Sequence, residues 1–339
     1  MWWQGLANRV SSRTAFVAAV TAAVFLGVLG VVPVRSQTPS LEAPRATDPV
    51  PLDDPWAPTW DAVPTLQIPL SAQNIAPPFG GGSIRSVTAR AQHDSERVYM
   101  VLEWTDANPE ASVVGNMDFT DAAALQFPLA DAATPYTMGG PDLPVNIWQW
   151  KAVWQADIES GFETSADRWP DVVVDYYPHP DDPLYRPAED LGNLNAQRDR
   201  TTPIEDLIAS GFGTLTTAEI QQVEGAGEWR DDRWRVLFSR SLVPDDSNLA
   251  TFSAGTTTPV AFAVWDGGAG DRNGQKSIAQ FIEVAFVEKA TSPGVPAEMP
   301  DSTNPLWILL LALAVVVVVV AGLLGIGRKD ESGGPVEGT

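Results

Sequence analysis

Apolar and polar positions alternate with a period of two along several short stretches of the chain, the pattern of half-buried strands. Thr65–Leu70 alternates in this way. Ser86–Ala91 and Arg97–Trp104 flank Gln92–Glu96, which reads as a hairpin turn. In Arg233–Ser239 (RWRVLFS) the alternation puts Trp234, Val236 and Phe238 on one face. Pro259–Trp265 and Ile278–Phe286 read as strands bracketing a glycine-rich loop. Helical patterning is sparse: Asp121–Phe127 (DAAALQF), Ile204–Ser210 and Thr217–Gln222 are short candidates. Many short strands between turn residues predict a mainly β fold, an antiparallel β-sandwich with long loops and a few short helices. The proline-rich stretch Tyr176–Pro187 would be a long excursion from it.

Two apolar runs break the alternation. Thr14 to Val34 is almost wholly apolar, with Arg9 and Arg13 before it and no acid upstream. This is the layout of an export signal, so residues 1–36 are expected to be a signal peptide or an uncleaved signal anchor. Leu306 to Ile326 carries no charge over 21 residues, enough to span a bilayer as a helix. Arg328 and Lys329 follow it and place the tail 327–339 in the cytoplasm by the positive-inside rule. Residues 37–55 and 288–305 are rich in proline and acids and read as a linker and a tether. The expected product is a domain at 56–287 held on the extracytoplasmic face of a membrane.

Charge and composition narrow the chemistry. The formal net charge of −22 argues against a nucleic-acid partner. There is no cysteine, which excludes disulfides, thiolate-held clusters and covalently attached haem. The two histidines, His93 and His179, sit in apparent loops where a solvated imidazole is expected. Asp106 and Asp118 read as turn acids, and Gly80-Gly81-Gly82, lacking a strand–GxGxxG–helix frame, as a flexible loop. No carboxylate spacing marks a glycosidase pair. The densest aromatic segment surrounds Met138, Trp148, Trp150, Lys151 and Trp154. A methionine before Gly-Gly and tryptophans at i, i+2 suit plain core packing as well as a cofactor.

Four pieces in order carry a resemblance. They are VYMVLEWTDANPE with the following FTDAAALQFP, then MGGPDLPVNIWQWKA, then GEWRDDRWRVLFSRSL, and FAVWDGGAGDRNGQKSIAQFIEV. Together they resemble the haem b-binding gamma subunits of ethylbenzene dehydrogenase and dimethylsulfide dehydrogenase. The resemblance implies one haem b with two axial iron ligands. Met138 matches the methionine and Lys276 the lysine, with Trp148, Trp150 and Lys151 as further cofactor contacts and Lys151 as the competing lysine. It places the porphyrin inside the shell of strands. It also implies a non-catalytic electron-transfer subunit partnered by a molybdopterin alpha subunit and an iron–sulfur beta subunit. A membrane-tethered carbohydrate-binding module without haem is the alternative, since the chain's 13 tryptophans suit sugar stacking.

Overall fold

The computed structural model describes residues 40–130, 134–173 and 186–290, with the side chains of 289 and 290 excepted. The apolar runs at 14–34 and 306–326, and His179, lie outside these residues. Among the described residues no helix is long and apolar enough to cross a membrane.

Among the described residues, fourteen strands build the domain. They are β1 (Ser40–Arg45), β2 (Thr65–Pro69), β3 (Ser71–Ala72), β4 (Ser86–His93), β5 (Arg97–Thr105), β6 (Ala122–Pro128), β7 (Val145–Lys151), β8 (Ile204–Ala209), β9 (Thr216–Thr217), β10 (Glu224–Trp229), β11 (Arg233–Ser241), β12 (Thr257–Trp265), β13 (Ser277–Ile278) and β14 (Ile282–Ala290). The pairing order is β10-β11-β5-β4-β1-β14-β12-β6-β7-β8-β9, with β2 beside β4 and β13 bridging β12 and β3. Among the described residues the longest helix, α1 (Ala152–Ser160), follows β7 without a break.

The fold is mainly β, as expected, but the sheet is mixed rather than antiparallel. β1 runs parallel to both of its neighbours, β14 and β4. It arises in the stretch read as linker, where Leu41 and Ala43 are buried. Its proline and glutamate masked a strand that is held by pairing on both sides. At the other end, β14 runs on through Ala290, into the expected tether.

β12 turns the sheet over. Its first half, Thr257–Val260, pairs with β14, and its second half, Ala261–Trp265, pairs with β6. The two parts of the sheet meet through their inner faces. Trp150 of β7 packs edge-on against Trp104 of β5 and Trp234 of β11, with ring centroids 6.2 and 4.8 Å apart, although these strands are remote in the pairing order. Phe127, Trp148, Phe252 and Phe286 continue the same core. Each such aromatic pair contributes roughly 0.5–1.5 kcal/mol beyond the burial of its area.

Two expected helices are strands. Asp121–Phe127 forms β6 because β12 and β7 flank it and every residue from Ala122 to Phe127 is buried. The alanines favour a helix locally, but two strand neighbours outweigh a preference of under about 1 kcal/mol per residue. Ile204–Ala209 is β8 for the same reason, paired with β7 and β9. His93 is also not solvated. It is 1 % exposed at the end of β4, its ring edge-on to Phe286 and Nε2 3.2 Å from the Val287 carbonyl.

Candidate functional site

The alternation of β6, β7 and β12 gives that part of the sheet two unlike faces. Leu125, Phe127, Trp148, Trp150, Phe262 and Val264 belong to the inner core. On the opposite face lie Ala122, Ala124, Ile147, Ala263 and Trp265, with Met138 packed on them. Here the alanines of DAAALQF and AFAVW make a floor of small side chains.

An open cleft of about 500 Å³, open solvent at its mouth included, sits on this floor. Ala124, Ile147, Ala261, Ala263 and Ala279 line it, and Met138 and Lys276 both reach it. Ile75 and Phe212, at 45 % and 48 % exposure, stand at the same cleft and expose apolar surface that a flat apolar ligand would cover. A wider groove of about 2150 Å³ lies between Pro128–Leu129 and Ser247–Thr251, but neither Met138 nor Lys276 lines it.

Met138 is positioned by an unusual backbone. It adopts φ 65°, a left-handed conformation that methionine rarely takes, followed by Gly139 at φ 73°. A Cβ on Gly139 would stand 2.5 Å from the Leu143 carbonyl oxygen. Paired hydrogen bonds between Gly140 and Leu143 close the turn, and Gly211 N–H donates to the Met138 carbonyl at 2.7 Å. The strain is held by these contacts and directs the side chain over the start of β7.

Lys276 is positioned by glycines. Gly81, at φ +85°, lies flat against the lysine's own backbone, so that a Cβ there would be 2.2 Å from the Lys276 carbonyl carbon. Lys276 N–H donates to Gly80 O, and Lys276 O accepts from Gln73 N–H at 3.1 Å. The Gln73 side chain donates to the carbonyls of Ala76, Pro78 and Gly274 and accepts from the N–H groups of Ile75 and Ala76. Trp265 Nε1–H donates to Asn273 O at 3.0 Å and ties the loop to β12. The glycines are therefore a packing surface and not a flexible loop. The triple glycine was the visible signal; its partner 195 residues away was not.

The Lys276 amine has no hydrogen bond or ion pair among the described residues. Its neighbour is the Trp265 ring, 4.7 Å to the centroid. Burial alone pulls it down to about 8. Lys151 differs. Its Nζ is 2.5 Å from Glu205 and 3.9 Å from the Trp154 ring centroid, and it donates to Asn195. Burial lowers its pKa, opposed by Glu205. The structure thus brings Met138 and Lys276 to one cleft. It does not bring Trp148, Trp150 or Lys151 there, because the tryptophans face the inner core and the lysine is held by its acid. The cleft lies on an outer face of the sheet and not within the shell of strands.

Residues 57–277 match the ethylbenzene dehydrogenase family. The chain belongs to that family. A candidate respiratory nitrate reductase heme subunit of Haloferax mediterranei is 28 % identical over 325 residues, covering 93 % of this chain and 96 % of that protein. The gamma subunit of dimethylsulfide dehydrogenase from Rhodovulum sulfidophilum is 30 % identical over 192 residues, 55 % of this chain and 54 % of that one. Among solved structures, a family 9 carbohydrate-binding module of Caldicellulosiruptor kristjanssonii in complex with glucose aligns at a TM-score of 0.38 and 10 % identity, over 76 % of this chain and 99 % of that one.

Proposed function

We propose that this chain is the haem-carrying electron-transfer subunit of a molybdenum oxidoreductase complex, with a haem b in the Met138–Lys276 cleft. The observation that carries this reading is the Lys276 amine, buried without an acid partner in an apolar cleft that Met138 also enters. A lysine with no acid to hold its proton is suited to ligate as a neutral amine, and the alanine floor suits a flat macrocycle. The residues present therefore fit the group.

Met138 and Lys276 would hold the haem there, and it would supply a one-electron couple. The Met138 thioether is neutral and soft and favours the reduced metal. The Lys276 amine offers its lone pair once deprotonated, and burial lowers the cost of that deprotonation. Gly81 and Gln73 fix the lysine backbone, and the Met138 turn fixes the sulfur. The names of the relatives, a heme subunit and a gamma subunit, support the same role. The partners in this reading are a molybdopterin alpha subunit and an iron–sulfur beta subunit.

The location forms part of the proposal. Residues 1–36 act as the export signal and 306–326 as a transmembrane helix, so the domain stands on the extracytoplasmic face. The carbohydrate-binding alternative is less well supplied than the tryptophan count suggests. Of the ten described tryptophans, Trp60, Trp104, Trp148, Trp150, Trp154, Trp234 and Trp265 are buried, which leaves Trp56, Trp169 and Trp229 with exposed surface.

Purification of the full chain tests the reading. A low-spin b-type spectrum, with haem removed by acid–acetone extraction, is the expected result. A colourless protein that takes up no added haemin overturns it. Co-purification of a molybdenum-containing subunit tests the partnership separately.

A further inference from the structure

A second site lies at the root of the loop that carries Lys276. Asp106 follows β5, Glu110 lies in the turn after it, Asp121 precedes β6 and Asp266 follows β12. Each of the four offers a carboxylate oxygen, and these oxygens all lie within 4.8 Å of one another. No lysine, arginine or histidine forms an ion pair with any of them among the described residues. The crowding of like charge is therefore uncompensated by the protein's own cations.

An independent observation concerns Asp106. It is 8 % exposed, and its Oδ2 is buried without a hydrogen-bond partner. Its other oxygen accepts from Asn108 N–H at 3.2 Å. The Trp104 indole lies near enough to lower the carboxyl's pKa, yet its Nε1–H completes no hydrogen bond. A buried oxygen left bare in an anionic cluster is costly in a finished fold. We infer that Asp106, Glu110, Asp121 and Asp266 bind a divalent cation, calcium by the chemistry of the donors.

The donor set is all oxygen, with no histidine or thiolate, which suits a hard cation. Asp121 is held rigidly. It accepts from Gly267 N–H and Glu110 N–H at 2.8 Å and from Trp234 Nε1–H at 2.9 Å. Glu110 and Asp266 are half-buried and leave a way in from solvent. Gly267 and Gly268 let the loop seat here, since a Cβ would stand 2.0 Å from Phe119 O and 2.9 Å from Glu110 Oε1, respectively. Burial, together with the neighbouring carboxylates, raises the pKa values of Asp106, Glu110 and Asp121, as expected of acids awaiting a positive charge. A cation here ties β5, β6 and β12 together where the Asp266–Lys276 loop begins.

Terbium(III) luminescence on the full chain, stripped of metal with a chelator, tests it. Trp234 donates to Asp121 and is placed to sensitise an ion at the cluster. Saturable tryptophan-sensitised emission, reversed by excess calcium, is expected. Glu110→Gln and Asp266→Asn should each weaken binding by about tenfold or more. Asp118→Asn should leave it unchanged, because that carboxylate pairs with Arg168 outside the cluster. Absence of sensitised emission, or equal emission from the two cluster variants, overturns the inference. Should both variants misfold, equilibrium dialysis of the native chain decides. An equimolar amount of retained calcium supports the site, and none retained overturns it.

Discussion

Gly81 and Lys276 are 195 residues apart in sequence and in backbone contact in the fold. A Cβ on Gly81 would overlap the N, C and O atoms of Lys276 at 2.2–2.4 Å. The glycine also adopts φ +85°, which an L side chain resists. Gly81→Ala should therefore push the Lys276 loop away from the cleft. The expected result is weaker haem retention, with a stability loss of roughly 1–3 kcal/mol from backbone strain. Haemin titration and urea denaturation check the two effects separately. Unchanged haem affinity would show that the contact does not position the lysine.

Lys151 and Lys276 make opposite predictions. Lys276→Ala removes the amine that, among the described residues, lines the cleft and should convert a low-spin spectrum to high spin. Lys151→Ala should leave the spectrum alone, because its amine is bound to Glu205 at 2.5 Å. Its cost is in stability, since Glu205, 5 % exposed, loses its cation. Met138→Ala should retain the fold and lower the reduction potential, read by redox titration. If Lys151→Ala and Lys276→Ala exchange phenotypes, the ligand assignment is wrong.

How much of this could be read from the sequence depends on whether the signal was local. β5 and β11 were legible because Trp104, Trp234, Val236 and Phe238 alternate along the chain with Glu103, Arg233 and Arg235, although both faces of the two strands are largely buried. β6 was not, because its alanines serve a flat floor on one face and core on the other, a choice made by the neighbouring strands. β1 was hidden by Pro44, at which its register shifts. Met138 and Lys276 came from the resemblance; the residues alone left both readings open. Asp106 read as a turn acid because Asp121 and Asp266 arrive from other segments of the chain, and spacing along the sequence does not show such a meeting.

Arg240 and Asp206 form a fully buried pair, each 0 % exposed, with Nη1 of the arginine 3.6 Å from Oδ2. Asn146 Oδ1 accepts from Arg240 at 2.9 Å, and the guanidinium lies over the Trp148 ring, 4.8 Å to the centroid. Burial lowers the arginine to about 10, against the pull of Asp206. Arg240→Met should cost about 3–5 kcal/mol, because it strands a buried carboxylate. The double variant Arg240→Met/Asp206→Leu should recover much of that loss, since no buried charge then remains. Urea denaturation of the three proteins checks the pattern. A double variant no more stable than the single would mean that the pair contributes by more than mutual neutralisation.

The same pair gives stability a dependence on pH whose sign can be worked out. Asp206 is raised to about 6, chiefly by burial, although Asn146 and Arg240 pull it down. The unfolded carboxyl titrates near its usual ~3.9. Between about pH 4 and about pH 6 the folded protein holds a proton that the unfolded chain has released, so this group's contribution to stability falls as pH rises through that window. Asp206→Asn should remove this slope, because the amide has no proton to release across the window. Native stability minus variant stability is then expected to fall as pH rises, by at most about 3 kcal/mol. Denaturation midpoints across that range provide the measurement. A difference that stays constant, or rises toward neutral pH, would show that Asp206 is already ionised in the fold at the acid end.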